Sequence, residues 1–275
     1  PGPEQAPVMG TQLQVCSGCH ARRTELQPPD VTAHFFDNYQ LSPLLAGMYH
    51  PDGQILDEVF ETGSFLQSRM HQNQVTCTNC HAPHSGQLRA TGNALCTQCH
   101  EAARFDRFEH TFHAPDQPGS QCVDCHMASR TYMGVDVRHD HSFRIPDPLA
   151  GQRFGVPDAC TQCHADRDAA WAAGVLAQRT GRSQPRYAHA ALLHGARRGD
   201  PSVLPDLLAF AREPSGPAML RAIALQESAR FPSRQQVDVV AAALVDADPL
   251  VRSAAAASLD FLDASRRLAA LAGLL

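Results

Sequence analysis

The chain has 275 residues and no lysine, so all 23 of its basic residues are arginine. That absence excludes lysine as a metal ligand or a catalytic group. No apolar run approaches the roughly 18–20 residues that a membrane-spanning helix needs. The opening "PGPEQAPVMG" lacks the charged start and apolar middle of a secretion signal, so the expectation is a removed leader or an internal piece of a longer chain. A formal net charge of −5 leaves no general footprint for nucleic acid. There is also no cysteine to spare: all ten lie in five copies of one pattern, which leaves none for a disulfide framework.

That pattern is Cys-x-x-Cys-His. It appears as CSGCH (16–20), CTNCH (77–81), CTQCH (96–100), CVDCH (122–126) and CTQCH (160–164). Two cysteines at this spacing suit thioether bonds to the two vinyl groups of one porphyrin, and the next histidine reaches the iron as proximal ligand. Zinc knuckles use paired cysteines without needing a histidine behind every pair. Thioredoxin-like pairs need a βαβ setting, and none is visible. Disulfide frameworks do not fix a histidine at one offset five times over. The pattern therefore predicts five haem c groups. The attachment residues are Cys16, Cys19, Cys77, Cys80, Cys96, Cys99, Cys122, Cys125, Cys160 and Cys163, and the proximal ligands are His20, His81, His100, His126 and His164. Covalent haem attachment takes place outside the cytoplasm, which predicts a periplasmic or extracellular protein.

The composition changes near residue 165. Upstream lie every cysteine and 13 of the 15 histidines, with frequent Pro and Gly; downstream the chain is rich in Ala and Leu. Two domains are predicted: a pentahaem module over 1–165 and a helical repeat domain over 166–275. In the first, rings replace side-chain core, so short helices after each motif and long ordered loops are expected. Arg22, Arg23, Arg138 and Arg144 lie close in sequence to haem-binding segments and suit propionate contact. In the second, 201–230 laid over 232–261 matches Pro201-Ser202 with Pro232-Ser233 and Arg221 with Arg252. The Asp-Pro helix starts and small-residue faces fit stacked helical pairs, at a period shorter than that of a HEAT repeat. A further unit from Asp263 stops after one helix, which predicts a truncated C-terminus. Trp171 is expected to pack the joint between the two modules. The fold class is thus mostly α, a loop-rich haem module followed by an α-solenoid.

Eight more histidines share the haem module: His34, His50, His71, His84, His110, His113, His139 and His141. They suffice to give each iron a second imidazole. Met48, Met70, Met127 and Met133 compete as ligands but are expected to pack. His84 follows His81 too closely to bind the opposite face of the same iron, so it is expected to serve a different haem. His110 and His113, three residues apart, share one face of a helical turn and can reach two neighbouring irons.

The order and spacing of "GMYHPDGQILDEVFETGSFLQSRM", "VTCTNCHAPHS", "GNALCTQCH", "CVDCHMASRTYMGVDVRHDHSFRIPDP" and "PDACTQCHADRDAAWAA" resemble multihaem c-type cytochromes that carry HEAT or tetratricopeptide repeats behind the haem module. The likeness covers about residues 15–175. It implies His50, His84, His110, His113 and His141 as distal ligands and leaves His34, His71 and His139 as weaker candidates. Members of that family often carry further haem sites ahead of the segment matching Cys16. The predicted function is extracytoplasmic electron transfer between redox proteins or other cytochromes, with a filament of identical subunits as one form of it. A multihaem oxidoreductase acting on nitrogen or sulfur oxyanions is the alternative; it needs one open iron, and the surplus of histidines argues for a carrier rather than an enzyme.

Overall fold

The computed structural model describes residues 10–272. Residues 1–9, weighed above for a leader, and residues 273–275, at the end of the half-unit, lie outside the described residues. Among the described residues helices dominate, and the strands pair in antiparallel ribbons of two. These are β1 (Arg23–Glu25) with β2 (Tyr39–Leu41), β3 (His81–Ala82) with β4 (Gln87–Leu88), and β5 (Ser129–Tyr132) with β6 (Asp136–His139).

The chain forms two compact units. One comprises the residues up to Gln67 together with those from Tyr187 on, and the other is Ser68–Arg186. The compositional change near residue 165 does not coincide with this division, because the first haem motif folds with the C-terminal helices. Packing explains the difference. Phe35, Leu41, Leu44, Tyr49 and Val59 are buried large side chains in a segment with few helices of its own. The helix Ala188–Arg197 supplies an anchor for them. The Arg197 guanidinium donates to Tyr49 O at 2.9 Å and Leu44 O at 2.5 Å, and pairs with buried Glu227 at 3.1 Å. His189 Nε2 lies 2.9 Å from Asp52 O, and Gln40 Nε2 donates to Ser253 Oγ at 3.2 Å.

The C-terminal helices begin where the sequence marks a start. Ser233 caps Arg234–Ala243 by accepting from Gln236 N at 3.1 Å, and Asp248 caps Pro249–Ser258 by accepting from Leu250 N at 2.8 Å. The helix Ala218–Ser228 packs on both Leu204–Arg212 and Pro249–Ser258, and is buried along almost its whole length. Arg234–Ala243 packs on Pro249–Ser258 and Ala264–Leu271. The arginines matched in the internal overlay do similar work. Arg221 donates to Ala211 O at 3.2 Å and pairs with Asp246, while Arg252 donates to Asp246 O at 2.7 Å and Ala247 O at 2.9 Å. Each ties down carbonyls next to the preceding helix.

The unit Ser68–Arg186 is built differently. Its buried apolar side chains among the described residues are Tyr132, Leu149, Ala150, Val156, Ala172 and Ala173. Tyr132 lies on β5; the others sit in or beside the packed helices Pro148–Phe154 and Ala169–Thr180, where Gly151 permits close approach: a Cβ there would stand 3.1 Å from Val156 O and 3.3 Å from Ala169 Cβ. The rest is hairpins and single helical turns. Residues 68–147 thus contribute almost no apolar core of their own, although a unit of this size ordinarily needs one.

Candidate haem-iron centres

The motifs turn back on themselves for local reasons: the first closes the ten-residue helix Thr11–His20, the second and fourth are single helical turns, the third begins in the turn Ala94–Thr97, and the fifth is a turn without helix. In the second, Thr76 and Asn79 form a capping box around Cys77–Cys80, with Thr76 N donating to Asn79 Oδ1 at 2.7 Å. In the fourth, Gln121 and Asp124 do the same around Cys122–His126. In the fifth, Asp158 accepts from Cys160 N and Thr161 N, both at 3.0 Å. The variable residues between or before the cysteines therefore set the turn. The histidine N–H then bonds back to the first cysteine's carbonyl, from His100 to Cys96 at 3.0 Å and from His164 to Cys160 at 2.9 Å. Two thiols three residues apart share one face of such a turn.

The motif thiols of the second unit are near enough, in chain order, to act on one another's ionisation. Cys96 and Cys99 disfavour the Cys80 thiolate, Cys96 and Cys122 share a hydrogen bond, Cys163 disfavours the Cys125 thiolate, and Cys125 disfavours that of Cys160. Asn93 links the third motif to the fourth, accepting from Cys122 N at 2.8 Å while donating to Asp106 Oδ1 at 2.8 Å and Ser120 O at 3.1 Å. Burial, with Cys96 close by, pushes the Cys122 thiol up to about 12, and burial with Asp158 close by pushes Cys160 up to about 11. Cys80, Cys96 and Cys125 are also raised, chiefly by burial. A dithiol catalyst needs the opposite shift.

Among the described residues no group of three or more His, Cys, Asp or Glu side chains converges on one point. A porphyrin leaves its iron at most two protein ligands, and pairs are what the structure contains. His81 faces His141 with ring centres 6.2 Å apart, His110 faces His126 at 6.0 Å, and His113 faces His164 at 6.1 Å. Metal–imidazole bonds of about 2.0–2.1 Å on opposite faces of one iron put ring centres roughly 6.3 Å apart. Each pair joins one motif histidine to a histidine from another segment. His110 and His113 stand next to two different motif histidines, but not from one face of a helical turn: the helix ends at Thr111 and the left-handed Phe112 turns His113 away.

A metal-bound histidine usually donates its second ring N–H to a fixed acceptor, which aims Nε2 at the metal. Such acceptors are present. His126 Nδ1 lies 2.7 Å from Arg144 O, His113 Nδ1 2.8 Å from Thr111 O, and His141 Nδ1 2.9 Å from His139 O. His20 Nδ1 lies 3.3 Å from Glu61 Oε2. Burial, and then the charge of His126, holds His110 below the usual imidazole range, in the neutral form that binds metal.

Three of the histidines implied as distal ligands, His110, His113 and His141, thus face motif histidines. His84 stands exposed in the turn between β3 and β4. His50 sits half-buried in the first unit, its N–H bonded to Gln54 O at 2.8 Å. Of the weaker candidates, His34 caps the turn Phe35–Asn38 with Nδ1 3.0 Å from Gln14 Oε1, His71 lies in Arg69–Gln72, and His139 lies on β6 with Nδ1 2.6 Å from Met127 O. Neither His20 nor His100 faces a second imidazole among the described residues; His100 meets Phe105 edge-on at 5.8 Å. Phe105 also meets His110 at 5.3 Å, a contact that the sequence does not announce. Trp171, expected at a module joint, packs against His164 at 4.9 Å.

The residues present fit haem. The paired imidazoles have the spacing of axial ligands, and the unit that holds them lacks apolar core where ring faces would supply it. Residues 71–105, which span the second and third motifs, match the family model described as a doubled CXXCH motif. No curated protein matches the chain. A solved structure, the crystal structure of the outer cell wall cytochrome OcwA, aligns over 90% of this chain and 64% of its own, at 14% identity and a TM-score of 0.44. The chain therefore spans just under two thirds of that protein's length. The doubled CXXCH segment supports a multihaem c-type cytochrome that carries haem c.

Proposed function

We propose that the chain is an extracytoplasmic electron carrier with five haem c groups, mainly with histidine on both faces of the iron. The imidazole pairs carry this reading, each drawn from two segments at the separation that one iron imposes. When bound, haem c supplies a reversible one-electron ferric/ferrous couple. With haem bound, the paired histidines would hold the irons, carbonyl acceptors on Nδ1 would orient His126, His113 and His141, and the motif thiols from Cys77 to Cys163 would hold successive groups. Such a series suits conduction along the unit between partner redox proteins at the cell surface or in the periplasm. The C-terminal helices, read as a HEAT-like array, offer surface for those partners or for further copies of the chain.

The test is the optical spectrum of the dithionite-reduced holoprotein before and after carbon monoxide, with haem counted from the pyridine haemochromogen. Five haems and an unchanged spectrum are the expected result, with the irons held by His20 and His100 taking their second ligand from the remaining implied candidates, His50 and His84. A shift worth one haem identifies an open iron and replaces the carrier with the oxidoreductase reading.

A further inference from the structure

By composition the helix Ala169–Thr180 belongs to the repeat side of the chain. Its two ends nevertheless reach the surroundings of both imidazoles of one pair. In its first turn, which Asp168 caps by accepting from Trp171 N at 2.8 Å, the Trp171 ring lies 4.9 Å from His164. Arg167 lies over the same Trp171 ring, 5.7 Å from its centroid. Eight residues on, about 12 Å along the axis, exposed Arg179 places its guanidinium 5.3 Å from the Phe112 ring and 5.8 Å from Phe108. These two aromatic rings bracket the segment that carries His110 and leads into His113.

That segment bends sharply. Phe112 has φ +64°, a left-handed conformation that a bulky residue keeps only when its surroundings hold it there. The bend lets His113 fold back, with Nδ1 on Thr111 O. On the ring's other side lies Gly119, with φ +87°. A Cβ there would stand 2.9 Å from Cδ2, 2.9 Å from Nε2 and 3.0 Å from Cε1 of His113. Near-equal distances to three ring atoms place that carbon over the ring face, where real side chains do not fit.

We infer that Gly119, Trp171 and Arg179 are positioning residues for the His113–His164 pair. Gly119 fixes the plane of His113, Arg179 holds its bent segment, and Trp171 backs His164. The helix acts as a splint that prevents either ring from sliding off the metal. The inference rests on the proposed reading of His113 and His164 as axial ligands of one haem iron.

The test uses the holoprotein, after mass spectrometry of the peptide containing Cys160 and Cys163 has shown haem on it. The near-parallel ring planes, 13° to 31° apart, split the iron d orbitals that overlap the imidazole π systems, so each pair should give a rhombic low-spin EPR signal. Gly119→Ala should lose one of these signals, and on reduction bind one carbon monoxide per chain where the parent binds none. Gly134→Ala is the control for backbone strain, with φ +73° and nothing within 4 Å of the added carbon; it should match the parent. Arg179→Gln, at an exposed site, should broaden or shift the same signal and make the same haem the first to take up carbon monoxide. It carries the test alone if Gly119→Ala does not fold. Parental EPR and carbon monoxide behaviour in Arg179→Gln and in any folded Gly119→Ala would overturn the inference, as would an equal response from Gly134→Ala. A peptide without haem, or carbon monoxide binding by the parent, would instead overturn the reading beneath it.

Discussion

Glu61→Gln tests whether the first motif's histidine is an iron ligand tuned by a carboxylate. With Nε2 on the metal, Nδ1 of His20 carries the proton and donates to Glu61 Oε2 at 3.3 Å. A carboxylate acceptor draws that proton and raises the electron density on the ring, which favours ferric over ferrous iron. A neutral amide does this less, so the midpoint potential of one haem should rise. A hydrogen bond to a charged group is worth about 1 kcal/mol more than a neutral one, which caps the differential at roughly 40 mV for a one-electron couple. The imidazole side chain is 66% exposed and the carboxylate 28%, so solvent screens much of this. An upward shift of about 20 mV is the reasoned value, shrinking as salt is added. Potentiometric titration of variant against parent, read as a difference spectrum, isolates the one haem that moves. No shift, or a downward one, would refute the assignment of His20 as a ligand held by Glu61.

Gly63→Ala should destabilise the first unit by about 1–3 kcal/mol through overpacking, because its Cβ would clash with Tyr49 Oη and stand 3.6 Å from Met219 Cε. Urea unfolding checks this, and Tyr49→Phe in the same chain should recover part of the loss. Burial raises the Asp248 carboxyl against the opposing help of its cap bond to Leu250 N, with Asp246 and Arg221 nearby. A folded pKa above the unfolded one makes folding harder as pH rises through that window and leaves the cost in place above it. Asp248→Asn keeps the acceptor and drops the charge, so its thermal midpoint at pH 7 should exceed the parent's and converge on it in acid. A fall at pH 7 matching the roughly 1 kcal/mol cap loss of Asp248→Ala would refute this.

What the sequence disclosed and what it withheld follow from the range of the forces involved. The motif turns have local causes, since Thr76 and Asn79, or Gln121 and Asp124, sit within the same four residues. Composition nevertheless pointed to short helices after each motif, where strands follow the first, second and fourth instead. The separate directions of His110 and His113 depend on the left-handed bend at Phe112, which a helical spacing does not announce. That His141 comes to face His81, or His113 to face His164, depends on tens of residues of loop, and no periodicity encodes it. Gly119 looked like any glycine in "QPGSQ", because its meaning depends on a ring that arrives from the segment ahead of it. The division of the chain was the hardest to read. Composition records which chemistry a segment carries, and by that measure the change falls near residue 165. Packing depends on who buries whom. Arg197 reaches Leu44 O and Tyr49 O across roughly 150 residues, and a guanidinium bonded to two carbonyls and a buried carboxylate outweighs any likeness of composition between the first haem motif and the other four.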